Sequence, residues 1–446
     1  MLSLSTIVSA IFIPMALGFQ ETFSNVRDVL VTAISNNVTP GLVAGIRDSF
    51  GTIVFYEAFG SLTYGENTPL GQLNSNVTID TLYDMASISK LIGPVTCAAY
   101  LYQIGAMPEL DEKVSSSRLL GTNYSQNGKE NITLRNLLLH NSGYPPDPNP
   151  SYASTLFACP ATSIPSPPLT LSCQNQVFVN LMAQVLENPI GSKMVYSDLS
   201  MITLLFIIGR VVTREGYITN LDFDLDRLPE CINASIPTGG LYYSCAYEAY
   251  WRLKIKPKLF LNGNNAQTTY LLDHSLWPYA SPTYIDQTYR HRIMQGDVSD
   301  ANSYALGGIA GHAGIFSTLG ECLNFTSIWQ YGSETSLLNQ TTTSLWTTVY
   351  NETFSSRALG WVTQASTDTY FGCGNMSAST FYHTGYTGTL VCVDTLRNIS
   401  TVLLTTRVYP DEGNVPQIQA LRQSFNNAVI AELDKKKIEN RLIKEE

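Results

Sequence analysis

The chain has 446 residues and a formal net charge of −10, and 14% of its residues are charged against a usual ~25%. A hydrophobic fraction of 44% over this length excludes a disordered chain and leaves room for a large core. The acidic balance argues against a nucleic-acid partner, which needs clustered Lys and Arg; the one dense basic run, residues 435–437, is interleaved with acids and reads as the solvated end of a last helix.

In chain order, "MLSLSTIVSAIFIPMALGFQ" has a short apolar run followed by small residues at Ala16 and Gly18, the pattern of a signal peptide (1–18) cleaved before Phe19. The alternative is an uncleaved anchor, although the run falls short of a ~20-residue span. "ETFSNVRDVLVTAISNN" has a helical pattern, and "GLVAGIRDSFGTIVFYEAFG" reads as a β-hairpin turning at 48–51. "SKLIGPVTCAAYLYQIG" is too apolar for a surface helix and is expected to be buried, split or kinked at Pro94.

Residues 145–175, rich in Pro, Ser and Tyr, read as an excursion over the surface, and 216–292 as a second, aromatic-rich insertion. Between them "KMVYSDLSMITLLFIIG" sets Tyr196 and Asp198 just before a long apolar helix. "STFYHTGYTGTLVCVDTLRNISTVLLTTRVYP" is an antiparallel meander, and "PQIQALRQSFNNAVIAEL" an amphipathic closing helix. Strands at both ends with helices between predict one α+β domain over 19–446 whose antiparallel sheet draws on both termini.

Ten Asn-x-Ser/Thr sequons occur (Asn37, Asn76, Asn123, Asn131, Asn233, Asn324, Asn339, Asn351, Asn375, Asn398), where composition alone predicts roughly five. The eight cysteines form an even set: Cys159 with Cys173 and Cys231 with Cys245 bracket loop-like sequence, and Cys373 with Cys392 is a third candidate pair. Cys97 lies in an apolar helical run, as either a buried thiol or a bridge to Cys322. Both features point to a secreted or lumenal, N-glycosylated chain.

One Ser-x-x-Lys occurs, Ser87-Ile88-Ser89-Lys90, about as often as chance predicts. A helix starting there would bring Ser87 and Lys90 onto one face. A serine hydroxyl needs a base within reach; Lys90 could serve if desolvation lowers its pKa, and Tyr196 is the second candidate base. Taken alone, Ser87 and Lys90 would read as a helix cap and a surface lysine, Tyr196 as a half-buried aromatic, and Asp198 as an N-cap, with Ser197 the other candidate. His383 and Gly385 fall where a strand enters a tight turn. "GGIAGHAGIFST" lacks the spacing of a phosphate or dinucleotide loop, so His312 reads as scaffold; no metal or cofactor is implied.

Taken in order, Ser87-x-x-Lys90, Tyr196-Ser197-Asp198 and His383-Thr384-Gly385 resemble the three active-site motifs of the serine beta-lactamase and penicillin-binding-protein superfamily, most closely its class C branch. "LYDMASISKLI", "MPELDEKV", "ITLRNLLLHNSGYPP", "GGIAGHAGIFST" and "LLTTRVYP" extend the resemblance over most of the chain. It implies a sheet with flanking helices, a helical region and a cleft between them. It further implies catalytic roles for Ser87, Lys90 and Tyr196, an oxyanion hole from the amides of Ser87 and Tyr386, and substrate contacts at Asp198, His383, Thr384 and Gly385. The beta-lactamases and transpeptidases proper have asparagine at the position of Asp198 and lysine at that of His383, and many relatives have histidine at that of Ser299.

The function this implies is a secreted serine hydrolase forming an acyl-enzyme on a small-molecule ester or amide. The alternatives are a D-amino-acid peptidase or beta-lactamase of the same fold, and a non-catalytic binding protein that kept the pocket. An idle pocket has no physical need of a buried lysine beside a serine. The oligomeric state is not legible.

Overall fold

The computed structural model describes residues 23–445 except 71–74, 164–169, 235–237, 261–262, 353 and 365–369, so the expected signal peptide lies outside the described residues. The principal elements in chain order are α1 (Ser24–Ser35), β1 (Gly41–Arg47), β2 (Ile53–Gly60), α2 (Asp198–Arg214), α3 (Gly240–Tyr250), α4 (Leu319–Tyr331), β3 (Val362–Thr363), β4 (Thr380–Thr384), β5 (Leu390–Asp394), β6 (Ile399–Thr405) and α5 (Val415–Glu445). Six strands form one antiparallel sheet in the order β2-β1-β6-β5-β4-β3, so β1 from the N-terminal side pairs with β6 from the C-terminal side, Gly45 opposite Val402. The α+β architecture expected from the sequence is the one observed.

Both faces of this sheet are covered, which explains why its strands read as continuous apolar runs. Leu42, Ala44, Ile46, Cys392 and Leu403 pack outward with Val26 and Leu30 of α1 and Phe425 and Val429 of α5. The alternating set Val43, Val391, Val393, Val402 and Leu404 joins the main core with Leu323 and Phe325 of α4. The β1–β2 turn is tied by Asp48, whose Oδ1 accepts the N–H groups of Phe50 (2.9 Å) and Thr52 (3.0 Å).

The helical region is built on α2, buried continuously over Leu199–Gly209, against α3. Gly209 makes this contact possible, since a Cβ there would come within 2.1 Å of the Tyr243 carbonyl oxygen. Beside them run Ile88–Lys90 (α-helical), Leu91–Val95 (π-helical) and Thr96–Gln103 (α-helical). Pro94 lacks an N–H and crowds the preceding turn, so the helix bulges there. The freed carbonyls are met by side chains: Trp251 Nε1 donates to Ile92 O (3.1 Å) and Thr96 Oγ1 to Leu91 O (2.6 Å).

Three disulfides join Cys159 to Cys173, Cys231 to Cys245 and Cys373 to Cys392, with Cα separations of 5.7, 6.0 and 6.0 Å. Cys97 and Cys322 are free buried thiols, so the open choice at Cys97 resolves to a thiol. The described part of 145–175 is less superficial than expected: Tyr152, Phe157 and Cys159 enter the main core, and Tyr289 of the second insertion donates its hydroxyl to Cys159 O (3.1 Å). No helix among the described residues is long and apolar enough to cross a membrane.

Candidate active site

Ser87 stands at the start of its helix on a strained turn. The preceding Ala86 has φ +45°, a conformation costing a residue with a Cβ on the order of 1 kcal/mol or more. Buried Asp84 holds the turn, its Oδ1 accepting the Ala86 N–H (2.8 Å) and its Oδ2 the Ser299 N–H (2.8 Å). This gives Ser299 a scaffold role through its backbone. Among residues 81–90 Ser87 alone is not fully buried.

The Lys90 ammonium has three N–H donors and three acceptors: Ser87 Oγ at 2.9 Å, the His312 carbonyl at 2.9 Å and Asp198 Oδ1 at 2.8 Å. Burial works against the charge, but Asp198 and then Tyr196 outweigh it and hold the Lys90 pKa above its ordinary value. The sequence expectation of a lysine lowered by desolvation into a resting base is therefore corrected; Lys90 donates to Ser87. The two explanations left open for Asp198 also separate here. It is the first residue of α2, and its carboxylate goes to Lys90, while Ser197 precedes the helix and donates its hydroxyl to Pro145 O (2.6 Å).

The Tyr196 phenol lies among cations and imidazoles. Its ring centre is 4.9 Å from Lys90 Nζ, 5.0 Å from Arg357 Cζ, 4.7 Å from the His140 ring and 6.0 Å from the His383 ring. The hydroxyl is buried beside the Lys90 ammonium, whose charge it supports; Nε2 of His140 and Nε2 of His383 are buried and meet no hydrogen-bond partner among the described residues. Burial, then the charges of Arg357 and Lys90, push both imidazoles well below their ordinary pKa, so they are neutral. His383 Nδ1 sits 2.8 Å from Thr384 O and so carries the proton, leaving an open acceptor at Nε2. His140 Nδ1 accepts the Ser197 N–H (3.1 Å), which leaves Nε2–H as an open donor.

The strand end bearing His383 is pinned to the Ser87 turn. Thr387 Oγ1 donates to Asp84 O (2.8 Å), Thr389 Oγ1 to Met85 O (3.2 Å), and Gly385 N–H to Thr389 O (2.8 Å). Gly385 has to be glycine, because a Cβ would lie 2.1 Å from Thr389 Oγ1 and 2.6 Å from Met85 O. Thr384 closes β4 beside it, and Tyr386 follows, half exposed under the Arg407 guanidinium at 4.6 Å. The N–H groups of Ser87 and Tyr386 meet no acceptor among the described residues.

Asp198, Asp300 and His312 bring one ligand atom each within 4.8 Å of one another, a spacing compatible with a cation. The carboxylates are already engaged: Lys90 sits on Asp198, and His312 Nε2 is 2.9 Å from Asp300 Oδ1. The group is an ion network rather than an open ligand set. Sequence reasoning did not single out Arg357, His140, Asp300 or Asp147. His140 lay inside a phrase that carried the resemblance; Arg357 follows the serine-rich "FSSR" without any motif, on a segment that joins the sheet through a single bridge to Val362.

Comparison with known proteins agrees with this geometry. The profile of the Beta-lactamase family matches residues 26–222 and 262–424, its gap falling inside the second aromatic-rich stretch. A putative D-alanyl-D-alanine carboxypeptidase of Escherichia coli K12 is 24% identical over 366 residues, covering 80% of this chain and 76% of its own. Two solved structures share the fold: EstCE1, a hydrolase with promiscuous acyltransferase activity (TM-score 0.58, 18% identity, 90% and 97% coverage), and a class C beta lactamase from Rhodobacter sphaeroides (TM-score 0.57, 17% identity, 92% and 99%). With most of its length inside the matched profile and Ser87 and Tyr196 both gathered around Lys90, the chain belongs to the Beta-lactamase family of serine hydrolases.

Proposed function

We propose that Ser87 is the nucleophile of a secreted hydrolase that forms an acyl-enzyme on esters or small uncharged amides. The observation that carries the reading is the buried Lys90 ammonium, ion-paired to Asp198 and hydrogen-bonded to the one half-exposed hydroxyl in its neighbourhood. Ser87 Oγ attacks the carbonyl carbon, and Tyr196 Oη relays the proton, taking that of Ser87 as the phenol passes its own to the leaving oxygen or nitrogen. Lys90 stays charged throughout, and its N–H steadies the developing charge on Oγ. The unpartnered N–H groups of Ser87 and Tyr386 suit the oxyanion, and water then attacks the acyl carbon, its proton taken by Tyr196 Oη as the phenol returns its own to Ser87 Oγ and the acid leaves.

Two features support esters over carboxylate-bearing substrates. His383 is neutral where relatives hold a lysine, and Asp198 can only accept hydrogen bonds and is already engaged by Lys90. A second reading, a peptidase acting on D-amino-acid ends as the named relative is supposed to, is favoured by one observation: Arg357 supplies a positive charge on the His383 side. Secretion and N-glycosylation are supported by the three disulfides and by exposed asparagines at seven of the ten sequons; Asn398 is half-buried and uses its Nδ2 on Ser49 O (2.8 Å).

The deciding experiment is covalent. A serine-directed phosphonate should modify the peptide containing Ser87, and Ser87→Ala should abolish both labelling and ester turnover. Labelling of another serine, or turnover that survives the substitution, overturns the reading.

A further inference from the structure

The network behind Lys90 is larger than the reaction above requires. His312 reaches it twice: its carbonyl accepts from Lys90 Nζ at 2.9 Å, and its Nε2 stands 4.0 Å from Asp198 Oδ2 and 2.9 Å from Asp300 Oδ1. The other ring nitrogen, Nδ1, faces Ala310 O at 3.3 Å. Both nitrogens thus face oxygen acceptors. A neutral imidazole has one N–H and would point a lone pair at one of those oxygens, whereas an imidazolium satisfies both.

We propose that His312 works as an imidazolium anchored by Asp300, a positioning residue whose charge balances Asp198 and so leaves the Lys90 ammonium on Ser87. The inference rests on the acyl-enzyme reading for its consequence, though not for the charge state. Asp198 then lies between two cations, with Oδ1 on Lys90 and Oδ2 toward His312. Lys90, Asp198, His312 and Asp300 alternate in sign and sum to zero, the arrangement in which buried charges are tolerated. When His312 loses its proton, the hydrogen bond to Asp300 can persist, but the network keeps one uncompensated negative charge. Only Lys90 is left to answer it, and the ammonium is drawn toward Asp198 and off Ser87.

The groups facing His312 are accounted for on each element around it. Asp198 comes from the start of α2, and Lys90 from the Ser87 helix. Asp300 comes from the cap of the short helix Ala301–Ala305, where its Oδ1 also accepts the Ser303 N–H (2.6 Å). Asp147, close to these groups, is a third carboxylate, its pKa raised by partial burial and then by Asp198 and Asp300. Burial opposes the charge on His312, but Asp198 and Asp300 outweigh burial and Lys90 together, so its pKa is raised. Its contribution is therefore complete below the ordinary imidazole value and is lost as pH rises through the raised one.

Two measurements on the full chain test this. The first is the pH profile of kcat/KM on a short-chain p-nitrophenyl ester over about pH 5 to 10. Its alkaline limb should lie above the ordinary imidazole range, Asp300→Asn should move it about one unit lower, and His312→Gln should remove it while lowering the plateau about tenfold. A limb that stays in place in both variants belongs to Lys90 or Tyr196 and overturns the proposal. The second follows the five histidine Cε1–H resonances by NMR in Ser87→Ala, with His312 assigned from the signal missing in His312→Gln. A His312 that is neutral at neutral pH, or one whose titration Asp300→Asn leaves unmoved, sinks the proposal whatever the catalysis shows. Failure of Ser87→Ala to abolish turnover would instead remove the acyl-enzyme reading and leave the charge state standing.

Discussion

The two sides of the cleft are built on opposite rules. On the Lys90 side every charge is answered: Lys90 by Asp198, His312 by Asp300, and the ammonium by three acceptors in all. On the His383 side the imidazoles are neutral, and Nε2 of His140 and Nε2 of His383 have no partner among the described residues. Buried polar atoms left open cost about 1–3 kcal/mol each, so a fold keeps them only where something else will meet them. The closed side is suited to holding a geometry, and the open side to receiving substrate and moving protons.

The closed side can be broken most severely at Asp198. Asp198→Asn leaves Lys90, 1% exposed, without its counter-charge, to be held as a buried cation or to give up its proton, and removing one partner of such a pair destabilises by ~3–5 kcal/mol. Urea unfolding at neutral pH should show this as a lower midpoint at unchanged slope. The Lys90 pKa is raised in the fold, so the pair's stabilisation is complete below the ordinary lysine value of 10.5 and fades as pH rises above it. The gap between the two proteins should therefore narrow in strong alkali. A loss under about 1 kcal/mol, the range of an exposed ion pair, would mean that this side is not closed in the sense argued.

The open side is tested at Tyr196. If its hydroxyl carries the Ser87 proton, Tyr196→Phe should lower kcat at least ~100-fold with the fold retained, the cost in stability staying within about 1.5–3 kcal/mol, the range of one hydrogen bond to a charged group. Combined with Asp198→Asn the loss should shrink, because a Lys90 freed of its counter-charge can shed its proton and share the work. Strict additivity of the two changes, or a loss of only a few fold from Tyr196→Phe alone, would return the proton transfer to Lys90.

What the sequence made legible follows the same division. Ser87, Lys90, Tyr196, Asp198 and His383 stand at starts or ends of regular elements, where apolar periodicity marks the boundary, and the three local disulfides are short-range. The state of each group was not legible, because it depends on partners far away in the chain. Periodicity says that Lys90 is buried; only the approach of residue 198 decides whether burial lowers or raises its pKa. His140 adopts φ +55°, which the following Asn-Ser-Gly could have signalled as a turn, but its proximity to Tyr196 spans more than fifty residues. Arg357 sits on an irregular segment at the sheet edge, with no period to reveal which way it faces.

Arg357 also gives the mildest and most discriminating test of the open side. A neutral His383 offers a substrate carboxylate no charge, and the Lys90 ammonium is already spent on Asp198. The cation on this side is the Arg357 guanidinium, 5.0 Å from the Tyr196 ring, and a preference for a carboxylate is expected to draw on it. Its loss should lower kcat/KM for a chromogenic cephalosporin about tenfold, or about 1.4 kcal/mol, the low end for a charge-assisted contact, and for a short-chain p-nitrophenyl ester by less than about twofold. The unmodified protein should favour the ester, and His383→Lys together with Asp198→Asn should move the ratio toward the cephalosporin even at lower stability, since the lysine adds a cation and the asparagine a donor. If Arg357→Gln reduces both substrates equally, the guanidinium supports Tyr196 rather than reading the substrate. If the cephalosporin is already preferred, or the paired change leaves the ratio untouched, neutrality on the His383 side does not set specificity and the ester reading loses its physical basis.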